Sequence, residues 1–206
     1  VLSGDGGDEA FFGYPRYMQW LKYLDTKLQV PYWKELLLPF AHAINPKRYS
    51  PLRPIKDVYS FLRFVEYLKP PVRNELWKTE YHPYINSRWP GIEQEFENVK
   101  GAELLNKGKY IDQKSYMVYD ILTKVDGASM MNSLEVRTPI IDKEVFEFAG
   151  TIPPAVLLNM QANGETTEKF LLKELLKDKF PEQFIHRRKA GFGMPLHKWF
   201  AKPDGK

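Results

Sequence analysis

The chain begins with a stretch in which glycines and carboxylates are interleaved. Positions 1–9 read Val-Leu-Ser-Gly-Asp-Gly-Gly-Asp-Glu. Glycine at Gly4, Gly6 and Gly7 allows left-handed backbone angles and leaves room for a ligand to approach the main chain. The carboxylates would repel a bare phosphate, and phosphate-binding loops of the Walker type carry a lysine instead. A Mg²⁺ ion removes this conflict, because it takes one or two carboxylates together with phosphate oxygens.

We therefore predict that residues 3–9, the acidic glycine loop, bind a nucleotide with Mg²⁺. The apolar start at Val1 and Leu2 predicts a strand before the loop. The acidic residues from Asp8 onward suit the first turn of a following helix, where they complement the positive end of the helix dipole. The alternative is an acidic glycine turn that caps a helix and binds no ligand.

Two pairs of polar residues lie in 112–132, a stretch without proline that we predict to be one buried helix. Asp120 and Lys124 are four residues apart, and Asp126 and Ser129 are three apart, so each pair shares a helical face. An intrahelical ion pair and a satisfied hydroxyl are favoured over a catalytic role.

The extended segment after this stretch contains Glu135 and Arg137. These two residues could pair with each other or brace the acidic glycine loop, and a buried structural pair is the favoured interpretation. Asp142 is a suitable N-cap for a helix over 143–149.

A dense basic run at 186–189 precedes a bend made by Gly191, Phe192 and Gly193. A lysine just before such a bend can point into a pocket and stabilise negative charge on a phosphate. The residues alone favour a solvated basic run beside a loop.

Elsewhere the lysines and arginines are spread among acids, and the net charge is only +4. A nucleic-acid-binding protein usually concentrates its basic residues on one face, so we predict no nucleic-acid partner. No apolar run approaches the ~20 residues that a membrane span requires. The absence of cysteine is compatible with a reducing compartment. We therefore expect a cytoplasmic protein that does not enter a membrane.

Apolar residues recur mostly at helical spacing, so the chain is predicted to be mainly α. Proline and glycine divide it into short elements, and Pro70-Pro71 is predicted to end one of them. Besides 112–132 and 143–149, the predicted helices cover about 8–24, 33–40, 58–68 and 165–180, with loops and a short helix over 76–100.

Three stretches resemble signatures of the asparagine synthetase domain, which is found in glutamine-hydrolysing asparagine synthetases and their relatives. Their order along the chain also agrees with the family, which makes the resemblance far more specific than one motif would be. The stretches are Ser-Gly-Asp-Gly-Gly-Asp-Glu-Ala-Phe-Phe-Gly-Tyr at 3–14, Leu122–Asp142 and Arg188–Leu196. The resemblance spans almost the whole chain, although about 24–106 carries no motif of the family.

The resemblance implies that residues 1–206 are the C-terminal part of a synthetase domain. That domain is of the adenine-nucleotide alpha-hydrolase-like α/β class, the PP-loop ATP pyrophosphatases, and this part would be mostly helices with one or few strands. Family members bind ATP with an upstream Ser-Gly-Gly-x-Asp-Ser loop, and glutamine-dependent members add an N-terminal glutaminase domain with a cysteine nucleophile. Neither occurs in these 206 residues. The missing N-terminal part is thus an expected partner, the isolated piece is expected to be inactive, and a homodimer is compatible with the resemblance.

The resemblance also implies a reaction. ATP would activate the carboxylate of aspartate as aspartyl-AMP, and ammonia from glutamine would then form the amide of asparagine. Residues carried over from the family are Ser3, Gly4, Gly6 and Gly7 for the nucleotide, Asp8 for Mg²⁺, Asp5 near the amine nucleophile, and Lys189 for the intermediate and the leaving pyrophosphate. Lys124 and Asp126 would border the site.

One residue departs from the family pattern. Glutamate is more familiar than aspartate at the position of Asp5, and a side chain shorter by one methylene could require a water molecule to reach the same proton. The acceptor therefore stays open. The alternatives are a relative that amidates another carboxylate or forms a lactam, and a noncatalytic helical binding module.

Overall fold

The computed structural model describes residues 1–28, 58–66, 68, 70–85 and 91–187. Described residues up to Leu171 belong to one compact unit, and those from Leu172 belong to a second. The predicted helix over 33–40 and Lys189 both lie outside the described residues.

The described part of the chain is mainly helical, as predicted. Short helices dominate because proline and glycine interrupt the sequence often. The α-helices are α1 (Gly7–Ala10), α2 (Pro15–Leu28), α3 (Val58–Leu62), α4 (Pro70–Leu76), α5 (His82–Ile85), α6 (Ile92–Asn98), α7 (Leu104–Lys114), α8 (Thr123–Met130), α9 (Lys143–Thr151), α10 (Pro154–Leu157), α11 (Phe170–Leu176) and α12 (Glu182–Ile185). Two 3₁₀ turns (Thr79–Tyr81, Pro139–Ile141) and a π-helical segment (Met117–Leu122) lie between them.

The strand predicted before the acidic glycine loop is reduced to one parallel β-bridge between Leu2 and Arg137. The Ser3 amide donates to the carbonyl of Arg137 at 2.8 Å, and the Arg137 amide donates to the carbonyl of Val1 at 2.8 Å. This bridge attaches the start of the acidic glycine loop to the segment before α9.

An aromatic core lies beneath the loop. Phe12 meets Tyr17 edge to face at 5.0 Å, and Trp20 meets Phe61 at 5.1 Å between ring centroids. Gly108 of α7 lets that helix approach closely, since a Cβ there would lie 3.0 Å from the Phe61 ring. The core therefore joins α2, α3 and α7 directly behind α1.

Several predicted helix boundaries are wrong. The helix predicted from residue 8 breaks after Ala10 and restarts at Pro15, and Phe12 between them has a positive φ of 52°. The helix over 58–68 ends at Leu62, and Pro70 begins α4 instead of ending an element. Proline suits the first helical position because the amide it lacks would have no partner there.

The segment 112–132 was predicted as one buried helix, and both parts of that prediction are wrong. Helix α7 ends at Lys114, a π-helical segment follows, and α8 begins at Thr123. Tyr119 is 75% exposed and Met131 is 87% exposed. Hydrophobic spacing identified a helical segment but could not show which face, if any, would be covered.

The helix predicted over 165–180 extends only over Phe170–Leu176. The helix predicted over 143–149 is confirmed as α9, with the Asp142 carboxylate accepting from the Glu144 amide at 2.9 Å. In the second unit, the Phe180 and Phe184 rings stack at 4.9 Å. Across the described ranges, no helix is long and apolar enough to cross a membrane.

Candidate functional site

The acidic glycine loop folds as a tight turn that leads into α1. Gly6 has a φ of 85°, in the left-handed region where glycine carries little steric cost. The Gly7 amide donates to the Gly4 carbonyl at 3.3 Å, and the Ala10 amide donates to the Gly6 carbonyl at 2.8 Å. A Cβ on Gly6 would overlap Cγ2 of Ile141. Gly6 is therefore required twice, by its backbone angle and by the lack of space.

Ser3 and Asp5 form a local hydrogen-bonded turn within the loop. The Ser3 hydroxyl donates to Oδ2 of Asp5 at 2.5 Å, and the Asp5 amide donates back to the same hydroxyl at 3.2 Å. Both side chains are partly exposed. The Asp5 carboxylate is thus held against Ser3.

Asp8 forms an ion pair with a residue far along the chain. Its Oδ2 lies 2.8 Å from Nζ of Lys169, and each side chain is 27% exposed. The Lys169 amide also donates to the carbonyl of Phe11 at 3.2 Å. A Cβ on Gly13 would overlap both the Asp8 carboxylate and the Lys169 side chain, so the glycine makes room for the pair.

Lys169 is a site residue that the sequence reasoning missed. It belongs to 165–180, for which the sequence predicts a helix and no functional role, and it lies 161 positions after Asp8. The available signal was electrostatic: three carboxylates in a loop proposed to bind phosphate need a nearby cation. Nothing in the local pattern distinguishes Lys169 from the other lysines of the chain.

Glu9, next to Asp8, points into the protein and is almost completely buried. Its Oε1 accepts a hydrogen bond from the Tyr14 hydroxyl at 2.7 Å, and its carbonyl accepts one from Nε2 of Gln113 at 3.2 Å. Burial raises the pKa of Glu9, while the hydrogen bond from Tyr14 opposes that rise. Glu9 therefore anchors the loop rather than facing a ligand.

Two further charges are buried on α7. Nε of Arg16 lies 2.8 Å from Oδ2 of Asp112. Burial raises the pKa of Asp112 to about 6, against the opposing effect of the Arg16 charge. Nζ of Lys109 donates to the carbonyl of Ala149 at 3.0 Å, and burial lowers the pKa of Lys109 to about 8.

The carboxylates of the loop can bind Mg²⁺ when phosphate oxygens supply further ligands to the ion. Asp5 and Asp8 are partly exposed carboxylates on one short turn. Mg²⁺ commonly binds one or two carboxylates and completes its octahedron with phosphate oxygens and water. Within the described ranges, no group of three or more His, Cys, Asp or Glu side chains is arranged to hold a metal by itself. The residues thus fit a cation that arrives with a nucleotide.

The other predicted polar pairs lie on the surface. Nζ of Lys124 is 3.3 Å from Oδ2 of Asp120, and the Ser129 hydroxyl donates to the carbonyl of Asp126 at 3.1 Å. These local bonds confirm the structural interpretation of both pairs.

Glu135 and Arg137 do pair with each other, but their side chains are exposed, so the prediction of a buried pair is wrong. The backbone of Arg137 instead braces the start of the acidic glycine loop through the bridge with Leu2. The segment therefore does support the loop, but it does so through its main chain and not through its side chains. Of the predicted site residues, the structure brings Ser3, Asp5 and Asp8 together on the loop with its glycines.

Comparison with known proteins gives a consistent family assignment. The model of the family described as asparagine synthase matches residues 1–205. The chain is 32% identical over 206 residues to asparagine synthetase [glutamine-hydrolyzing] 1 of Bacillus subtilis, covering 97% of the chain and 31% of that protein. It is 22% identical to asparagine synthetase [glutamine-hydrolyzing] 3 of the same organism, covering 98% of the chain and 27% of the relative.

A partial match is amidase chyE of Penicillium rubens, 27% identical over 101 residues, which covers 48% of the chain and 15% of that protein. No solved structure gives a significant match. The chain thus spans about a third of the length of the curated synthetases that it matches.

Proposed function

The chain belongs to the asparagine synthase family, and on that basis we propose that the protein carrying it is an ATP-dependent, amide-forming ligase. One observation carries the proposal: the acidic glycine loop combines partly exposed carboxylates with the ammonium group of Lys169. A loop with carboxylates alone would repel phosphate. With Lys169 beside Asp8, the loop offers both a ligand for a cation and a positive charge for phosphate oxygens.

In this proposal the loop holds the phosphate end of ATP. The backbone around Gly4, Gly6 and Gly7 lies against the nucleotide, because these residues have no side chain to keep the ligand away. Ser3 adds a hydroxyl that can donate to a phosphate oxygen. Asp8 would hold Mg²⁺, which when bound neutralises phosphate charge. The domain would be of the adenine-nucleotide alpha-hydrolase-like class.

The reaction has two steps. An oxygen of the substrate carboxylate forms a bond to the α-phosphorus of ATP, and the bond to the leaving pyrophosphate breaks, giving acyl-AMP. Ammonia then forms a bond to the acyl carbon, AMP departs with the electron pair of the C–O bond, and the nitrogen loses a proton. The products are an amide, AMP and pyrophosphate.

Two side chains are proposed to act on the reacting groups. Asp5 would accept a proton from the attacking amine, directly or through one water molecule. Lys189 would stabilise negative charge on the intermediate and on the leaving pyrophosphate, as a compact point charge can. Lys169 carries the same kind of charge, but it lies at a different point of the chain, so the roles of the two lysines can be tested separately.

Aspartate is the proposed acyl substrate, with ammonia from glutamine, because the matched relatives are named as glutamine-hydrolyzing asparagine synthetases. The shorter Asp5 favours keeping other carboxylates as candidates. We expect the 206-residue chain alone to be inactive, since it contains no Ser-Gly-Gly-x-Asp-Ser sequence.

The test is pyrophosphate release by the full-length gene product, supplied with ATP, Mg²⁺ and a panel of carboxylates, with glutamine or ammonium as the nitrogen source. Release that depends on aspartate, with asparagine formed, is the expected result. Release with another carboxylate would keep the adenylating mechanism and change the substrate. No release with any of them would favour the noncatalytic binding module.

Lys189→Ala in the same protein should reduce adenylation or amide formation while the protein stays folded. Lys143→Ala is the matched control, because Lys143 is an exposed lysine that pairs with Glu147 one turn away. Equal rates for the two variants would remove Lys189 from the site.

A further inference from the structure

A buried charged cluster lies directly behind the acidic glycine loop, and the proposed chemistry does not use it. Its members lie on or next to the three helices α1, α2 and α7. They are Glu9 of α1, Tyr14 before α2, Arg16 and Tyr17 of α2, Asp112 and Gln113 of α7, and Tyr116 beyond α7. The contacts among them form a continuous path from α7 to the loop.

The path starts at the ion pair between Arg16 and Asp112, at 2.8 Å, whose side chains are only 12% and 1% exposed. Arg16 is also held by two aromatic rings. Its guanidinium carbon lies 3.9 Å from the ring centroid of Tyr14 and 4.5 Å from that of Tyr116. A planar guanidinium suits this arrangement, since it can stack on a ring while Nε bonds a carboxylate.

From Tyr14 the path reaches the loop itself. The Tyr14 hydroxyl donates to Oε1 of Glu9 at 2.7 Å. Helix α7 also contacts Glu9 directly, through the hydrogen bond from Gln113 to its carbonyl. Two routes from one helix thus converge on Glu9, the residue that follows Asp8.

Stability alone is a weak reason for this cluster. One buried polar atom in it, Nη2 of Arg16, has no hydrogen-bond partner among the described residues. Apolar side chains of similar volume often stabilise a core as well as, or better than, a buried ion pair. What the pair provides here, and apolar packing would not, is a fixed orientation for the Tyr14 ring and its hydroxyl.

We propose that Arg16 and Asp112 are positioning residues, which hold Tyr14 against Glu9 and thereby fix the backbone of the acidic glycine loop that carries Asp8. The part of this inference that concerns Asp8 rests on the proposed function. The part that concerns the loop backbone depends only on the contacts described.

Tyr14→Phe in the full-length protein tests the last link, because it removes one hydroxyl and keeps the ring under Arg16. Tyr110→Phe is the matched control: its hydroxyl donates to Glu95 at 2.6 Å, a bond of the same kind that involves no residue of the loop. Arg16→Lys tests the middle of the path, since lysine keeps the charge beside Asp112 but has no planar group to stack.

The first measurement is amide hydrogen exchange at Ala10, Phe11 and Gly13, whose amides donate to the carbonyls of Gly6, Gly7 and Asp8. We expect exchange about tenfold faster in Tyr14→Phe and Arg16→Lys, with the amides of α7 unchanged. The second is the Mg²⁺ concentration for half-maximal AMP formation. It should rise about tenfold in both variants, with a smaller change in kcat.

Unchanged exchange at these amides in both variants would overturn the proposal, whatever happens to activity. The same acceleration in Tyr110→Phe would also overturn it, because the effect would then not come from the path. If the wild-type protein forms no AMP, the proposed function fails, and the exchange comparison still decides whether the pair positions the loop.

Discussion

The acidic glycine loop and the segment 117–134 both carry signatures of the family, yet different kinds of contact hold them in place. The loop is fixed by residues far away in sequence, among them Lys169, Gln113 and Ile141. The segment 117–134 is held mostly by bonds between residues three to five positions apart. Its side chains are largely exposed.

The difference has a physical basis. A loop with a left-handed glycine and a buried carboxylate needs partners that the local chain does not contain. A helical segment instead satisfies most of its backbone hydrogen bonds from within itself. A sequence signature therefore shows which residue types occur together, and the number of long-range partners shows how firmly they are held.

The largest expected difference between the two regions is in activity. Asp8→Asn should lower Mg²⁺-dependent AMP formation by at least about a hundredfold, because the charge that would hold the cation is removed. Asp126→Asn, on the exposed face of α8, should cost about tenfold at most. Pyrophosphate release by the full-length variants measures both, and unchanged turnover in Asp8→Asn would refute its metal role.

A glycine in each region gives the next comparison. Gly6→Ala should lower the free energy of unfolding by about 3 kcal/mol, since it adds left-handed strain and a clash with Ile141. Gly127→Ala should raise it by up to about 1 kcal/mol, because Gly127 lies in α8 and no atom of the described residues is within 4 Å of its Cβ position. Urea unfolding distinguishes them, and equal effects would mean that the loop does not adopt this turn.

Lys109, which is buried on α7, should make the free energy of unfolding depend on pH. Its folded-state pKa of about 8 lies below the ordinary value of 10.5, so the unfolded chain binds more protons between these values. This contribution to stability is present above pH 10.5 and is lost as the pH falls through about 8. Its full size is about 3 kcal/mol.

Lys109→Met removes this dependence, so the difference in unfolding free energy between wild type and variant should change between pH 8 and 10. Tyrosine titration affects both proteins and cancels in the difference. A flat difference curve would show that the Lys109 ammonium is not desolvated.

The smallest effect is expected on the exposed segment. Asp120→Asn removes an exposed i, i+4 ion pair with Lys124, and it should cost only about 0.3–0.5 kcal/mol. The loss should disappear in high salt, because exposed charges are screened. Urea unfolding at low and high ionic strength measures it. A loss above 2 kcal/mol would show that the segment is more tightly packed than its exposure indicates.

Part of the fold and of the candidate site could be predicted from the sequence. The glycine at Gly6 predicted a turn and the aspartate at Asp142 predicted a helix cap, because both depend on local conformational preferences. Hydrophobic spacing predicted that the chain is mainly helical. It failed at 112–132, where the same spacing suited a continuous buried helix, and at Glu135 and Arg137, whose burial depends on what packs above them.

The sequence by itself determined the residue types of the acidic glycine loop, its left-handed turn and the family to which the chain belongs, since these follow from local chemistry and residue order. Only the tertiary structure decided that Lys169 meets Asp8, that Glu9 turns inward to Tyr14, and that Arg16 and Asp112 are buried behind them. These pairings join residues that are distant along the chain, with the exception of Glu9 and Tyr14. Distant charges meet only where packing of the helices brings them together, and no local pattern encodes that distance.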